Sequence, residues 1–97
     1  MAIMMIMEWS GVSVEQYDQL RPIVKWETDH PDGAMFHVAS HDGNGLRVTD
    51  VWQSAEQMQA FIDKRLMPGV MAIGITSQPK VEAYPTHAIF TPAYNPK

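Results

Sequence analysis

His37 and Asp50 are the residues of this chain whose types and spacing best suit chemistry. A carboxylate beside an imidazole holds it in one tautomer and raises its basicity. Such a pair takes a proton from a phenol or an activated methylene. The plainer reading is a cross-strand polar pair that satisfies itself in a partly buried sheet. What would bring the two together is the turn between them, Asp42-Gly43-Asn44-Gly45. Glycine accepts positive φ without a Cβ clash, and Asn-Gly between two β-prone runs signals a hairpin. A loop centred on Gly43-Asn44 sets His41 against Leu46, Ala39 against Val48, His37 against Asp50 and Met35 against Trp52. Side chains alternate along a strand, so these residues share one face. Phe36, Val38, Ser40, Arg47, Thr49 and Val51 share the other. A bulge would shift the register by one and break the His37–Asp50 pair.

Other groups offer less. Tyr17, Trp52 and Phe61 are candidates to bind an aromatic substrate, with Trp9, Trp26, Tyr84 and the methionines around them. Aromatics and Met are also ordinary core residues. His41 lies beside the turn, His30 precedes a proline in a loop, and His87 falls in the expected last strand. His37 and His41 are four residues apart, roughly 13 Å at strand rise. That is too far for one zinc ion, so no metal site is expected, and nothing beyond a lone histidine marks a haem site. Arg65 would offset a helix C-terminus or bind an acid. The chain has no G-x-G-x-x-G, no P-loop, no G-x-S-x-G and no cysteine nucleophile, so nicotinamide, ATP and acyl-enzyme chemistry lack support.

The elements that must position these residues are legible in turn. Ile3 to Trp9 is an apolar run of strand length. Ser13-Val14-Glu15-Gln16 is a capping box. It opens a helix with an apolar stripe of Val14, Tyr17, Leu20 and Val24, which Pro22 should kink or stop early. The hairpin follows. Ser54-Ala55-Glu56-Gln57 is a second capping box, and Met58, Phe61, Ile62, Arg65 and Leu66 continue it as a helix that Pro68-Gly69 should close. Val70 to Ile73 reads as a short apolar segment, one further helical turn at most. The last strand spans Lys80 to Tyr84 and, past Pro85, Thr86 to Phe90. Pro85 marks an edge strand or a bulge, because a central strand needs that N–H. Residues 91–97 read as a tail.

Ninety-seven residues make one expected domain, residues 1–97. A chain of this size buries about two-thirds of its unfolded surface. Apolar content is 45% and the formal charge is −4. The first argues against disorder. The second, with no basic patch, argues against nucleic acid. The absence of cysteine removes disulfides and thiolate metal sites and fits a reducing cytoplasm. The N-terminal MAIMMIMEWSG is too short to span a bilayer and lacks the positive start of a signal peptide.

The order β-α-β-β-α-β with right-handed crossovers gives a four-stranded antiparallel sheet with both helices on one face, an α+β ferredoxin-like fold. The other face carries Phe36, Val38 and Val51. An apolar sheet face favours association, and the simplest closure is a symmetric dimer. The order of elements resembles the dimeric α+β barrel superfamily. The segment Gly45-Leu46-Arg47-Val48-Thr49-Asp50-Val51-Trp52-Gln53-Ser54, followed by a Phe-containing helix, is similar to the strand-to-helix segment of antibiotic-biosynthesis-monooxygenase-like members. That resemblance implies a homodimer with a pocket between each sheet and its helices. The superfamily includes cofactor-independent oxygenases, polyketide cyclases, haem-degrading enzymes and proteins without demonstrated activity. Two functions are therefore expected. One is a small cofactor-independent enzyme of the monooxygenase or cyclase type, acting on an aromatic or polyketide-like molecule with His37 as base and Asp50 as its orienting partner. The alternative is a non-enzymatic dimeric binding or accessory protein.

Overall fold

Strand β1 (Ile3–Ser10) opens the fold, and Gly11 turns the chain into helix α1 (Val14–Val24). The hairpin β2 (Ala34–His41) and β3 (Gly45–Trp52) follows. Helix α2 (Ala55–Phe61) runs through a π-helical turn (Ile62–Leu66) into α3 (Met67–Ala72), and β4 (Lys80–Pro85) closes the sheet. This is a computed structural model, and it describes residues 2–93. Residues 94–97 of the expected tail lie outside the described residues. The sheet order is β2-β3-β1-β4 with every pair antiparallel, so the fold is the ferredoxin-like β-α-β-β-α-β arrangement.

Both helices start where the residue types place them, but only the first capping box closes. At Ser54 the Gln57 side chain accepts from the Ser54 hydroxyl and not from its N–H, which leaves a simple N-cap. Ser13 Oγ accepts from the Gln16 N–H at 3.1 Å while Gln16 Oε1 accepts from the Ser13 N–H at 2.9 Å. Ser54 Oγ accepts from the Gln57 N–H at 3.2 Å. Helix α1 passes through Pro22 and stops two residues later, before Lys25, which takes the left-handed conformation.

One face of the sheet meets the helices and forms the core. Met5, Met7 and Trp9 of β1 and Leu46, Val48 and Trp52 of β3 pack there against Leu20 and Val24 of α1 and against Met58, Phe61 and Val70. Val14, expected in the apolar stripe, is exposed at the first turn of α1. The opposite face keeps Phe36, Val38 and Tyr84 exposed.

Three further expectations need correction. Pro68-Gly69 does not close the second helix. The Met67 N–H bonds to the Ile62 carbonyl, five residues back, and helix geometry continues to Ala72. Proline lacks an N–H and its ring crowds the carbonyl four residues earlier. The wider π turn just before it accommodates both facts. Gly69 serves packing instead, since a Cβ there would lie 3.2 Å from Ile23 Cγ2 and Val24 Cγ1. The second correction concerns β4, which ends at Pro85, so His87 lies outside any strand. Pro85 does sit on an edge strand, as its missing donor requires. The third is a bulge between Ala34 and Phe36 that pairs Ala34, and not Met35, with Trp52. Met35 is turned out to solvent.

Candidate functional site

The bulge lies beyond His37, so the rest of the hairpin keeps its register. His41 faces Leu46, Ala39 faces Val48 and His37 faces Asp50. The turn that fixes this is tight. Gly43 takes φ 94°, the conformation only glycine adopts freely. Asp42 Oδ1 accepts from the N–H groups of Asn44 at 2.8 Å and Gly45 at 3.0 Å. Those two bonds hold the Asp42 carboxyl below the usual carboxylate range. Gly45 is required for closeness and not for φ: a Cβ there would come 2.4 Å from the Trp9 carbonyl oxygen.

His37 and Asp50 meet on the helix-facing side of the sheet. His37 Nδ1 lies 2.6 Å from Asp50 Oδ1. Asp50 is 2% exposed and is the buried charged residue of the core. Its other oxygen, Oδ2, accepts from Trp52 Nε1–H at 3.3 Å. A carboxylate only accepts, so Nδ1 carries the proton, and in the neutral ring Nε2 is left as an acceptor. Tyr17 OH lies 2.6 Å from that nitrogen, placed there by α1. Every bond in the chain Tyr17, His37, Asp50, Trp52 is directed toward the buried carboxylate.

Aromatic rings enclose this chain. The Tyr17 and His37 rings are stacked with 9° between planes and centroids 6.1 Å apart, and Trp26 leans on His37 at 4.4 Å. Trp26, Trp52 and Phe61 form a cluster with every centroid pair at 5.4 Å. Between the cluster, α1 and the sheet lies a cavity of about 50 Å³ with almost wholly apolar walls. Tyr17, His37, Asp50, Trp52 and Phe61 all line it, together with Trp26 and Arg21. It runs from the fully buried Trp52 out to Arg21, whose side chain is 48% exposed. The Arg21 guanidinium is held there by Glu27 at 2.7 and 2.8 Å and by Asp18 at 3.3 Å. It draws the Glu27 carboxyl below its usual range. Burial pushes the Tyr17 phenol up, and the nearby carboxylates of Glu27, Asp50 and Asp18 add to this while Arg21 opposes it.

His37, Asp50, Tyr17, Trp52 and Phe61 thus share one cavity, and Trp9 and Trp26 join them. Tyr84, also expected among the pocket aromatics, instead pairs with Met4 on the opposite, exposed sheet face. The Tyr17–His37 bond is not foreseen by the sequence. Nothing in residue spacing relates a helix side chain to a particular strand position, and the only available signal is Tyr17 in the apolar stripe of α1. Trp26 lies in a turn after α1, where no periodicity applies. The remaining histidines stand apart. His41 joins Val12 and Gly43 through its two ring nitrogens, as a strap between the turn and the end of β1. Arg65 serves neighbouring backbone: it donates to the carbonyls of Val24, at the end of α1, and Asp29. Among the described residues no group of three or more His, Asp or Glu is placed to hold a metal ion, and no helix is long and apolar enough to cross a membrane.

No protein-family model matches the chain, and no curated protein matches it by sequence. Solved structures do. A protein of unknown function from Nitrosomonas europaea superposes with a TM-score of 0.70 at 19% identity, covering 95% of this chain and 95% of that one. A mutant form of SnoaB, a cofactor-independent oxygenase from Streptomyces nogalater, gives 0.66 at 12% identity over 91% of this chain and 95% of its own. A protein from Deinococcus radiodurans described as a candidate antibiotic biosynthesis monooxygenase gives 0.61 at 19% identity, over 94% and 97%. Identities this low establish the fold alone: this chain shares the α+β ferredoxin-like fold of these proteins.

Proposed function

We propose that the protein is a small cofactor-independent enzyme of the monooxygenase or cyclase type, acting on an aromatic or polyketide-like molecule. One observation carries this reading: a His37–Asp50 pair with a 2.6 Å contact stands on the wall of an apolar, aromatic-lined cavity. His37 is the terminal base and Asp50 stabilises the imidazolium that forms. Apolar walls keep the buried charge unscreened, so the stabilisation is greater than it would be in water. Tyr17, Trp52 and Phe61 bind the substrate ring. In an oxygenation, the carbanion left by proton removal from an activated methylene reacts with molecular oxygen. The CH2 group and O2 become a ketone and water. The likeness to an oxygenase that works without a cofactor supports this chemistry. The protein works as a cytoplasmic homodimer through its second sheet face. There Phe36, Val38 and Tyr84 are 37%, 44% and 47% exposed beside the half-buried Met4 and Ile6.

The cavity volume favours a second reading. An engineered cavity of about 150 Å³ binds benzene. At about 50 Å³ this one is too small for an aromatic ring unless its walls move outward. A dimeric accessory protein whose aromatic cluster is simply core needs no such movement. A thermal-shift screen against phenolic compounds separates the two. An enzyme is stabilised by some of them and converts at least one in air, whereas an accessory protein with a closed core is stabilised by none.

A further inference from the structure

The imidazole of His37 presents no free nitrogen to the cavity. Nδ1 is engaged by Asp50 and Nε2 by Tyr17, each at 2.6 Å, and Trp26 covers the ring at 4.4 Å between centroids. A base in this state cannot take a proton directly from a bound molecule. Tyr17 lines the same cavity, and its phenol oxygen keeps a second lone pair after donating to Nε2. We infer that Tyr17 is a proton relay: the proton of the bound molecule passes to the Tyr17 oxygen while the original Tyr17 proton passes to His37 Nε2. This rests on His37 being the terminal base.

The balance of the step is simple. A C–H or O–H bond of the ligand breaks and its electron pair stays on the ligand. A new O–H bond forms at Tyr17 as the old one breaks, and an N–H bond forms at Nε2. The products are a ligand anion, a neutral Tyr17 and a His37 imidazolium against the Asp50 carboxylate. No oxidant is consumed. Tyr17 never accumulates as the phenolate, consistent with its buried setting, where burial disfavours the charged form. Arg21 is not an alternative proton acceptor for the ligand, because a guanidinium carries donors only, three of them already bonded to Glu27 and Asp18.

The test is exchange of deuterium into the C1 methylene of 2-tetralone, the CH2 between its aromatic ring and its carbonyl, followed by proton NMR in D2O under nitrogen. It reads proton transfer alone. Wild-type protein should accelerate exchange. Tyr17→Phe should lower the saturating rate roughly 100-fold, the scale of a lost acid–base group, with the half-saturating concentration within about twofold. The downfield Nδ1–H proton of His37, kept in Tyr17→Phe, shows that the imidazole still sits on Asp50. Exchange by Tyr17→Phe at or above the wild-type rate overturns the relay, because the freed Nε2 then works directly. His37→Gln separates the two claims. Loss of exchange in His37→Gln with retention in Tyr17→Phe defeats the relay and leaves the base. Undiminished exchange in His37→Gln defeats the base, and the relay with it. A wild-type protein that accelerates nothing defeats both.

Discussion

Tyr17 and Asp50 lie on opposite sides of one imidazole, each 2.6 Å from a different ring nitrogen of His37. A helix and two strands are thereby tied at a single point in the core. The stability of the tie is testable apart from any activity. His37→Ala leaves a buried carboxylate with only the Trp52 N–H as partner. Loss of a buried hydrogen-bond partner costs about 1–3 kcal/mol, so the stability measured by chemical unfolding should fall by that amount. An unchanged midpoint would mean that Asp50 is resolvated without cost and that the contact is incidental to the fold.

A different prediction concerns the turn that sets the register. Gly45→Ala places a methyl group 2.4 Å from the Trp9 carbonyl oxygen and 2.8 Å from Ser10 Cα. Both are backbone atoms and cannot rotate away, so β1 and β3 must separate. The expected cost is about 1–3 kcal/mol, the range of overpacking. Gly11→Ala, where nothing lies within 4 Å of the added Cβ, meets only the strain of its positive φ. Equal melting of Gly45→Ala and wild type would show that the strands sit farther apart than described.

Asp42 contributes to the acid limb of stability, alongside Glu27. The Asp42 carboxyl is held below the usual range by the N–H groups of Asn44 and Gly45. A group depressed in the folded state contributes stability above its unfolded value, about pH 3.9, and loses it as pH falls through the folded value. Asp42→Ala should therefore lower the melting temperature at pH 7 and flatten its fall below about pH 4. Parallel acid limbs in the two proteins would remove the turn from the account.

The alkaline limb belongs in part to Tyr17. Burial raises its folded value above the ordinary tyrosine value of 10.0. The unfolded chain then releases the proton first, so stability is full below about pH 10 and is lost as pH rises through the folded value. Tyr17→Phe removes that contribution. Its melting temperature should decline less steeply above about pH 10 than that of the wild type, measured by calorimetry from about pH 8 to 11.

Much of this arrangement is legible in the residues. The Asn-Gly turn and the alternation of its flanks place His37 opposite Asp50, and the bulge at Met35 falls too far out to disturb them. The two Ser-x-x-Gln boxes mark both helix starts. Less legible are features decided by contacts between distant segments. Pro68-Gly69 reads locally as a stop signal, yet a π turn before Pro68 and the packing of Gly69 on α1 carry the helix onward. The second run of the last strand is β-prone by type, but β4 ends at Pro85. Tyr17 reads as a substrate contact, and its bond to His37 depends on how α1 lies over the sheet, which no local pattern encodes.

The central claim is that His37 acts as a base at the cavity wall. Its most direct measurement is turnover of the compound that most stabilises the protein in the phenolic screen, by wild type and by His37→Gln at equal concentration in air. The amide keeps much of the packing and cannot take up the proton. The account predicts that His37→Gln binds the compound with similar affinity and converts it at least about 100-fold more slowly. Equal turnover by the two proteins would contradict it and leave the His37–Asp50 pair as a structural tie alone.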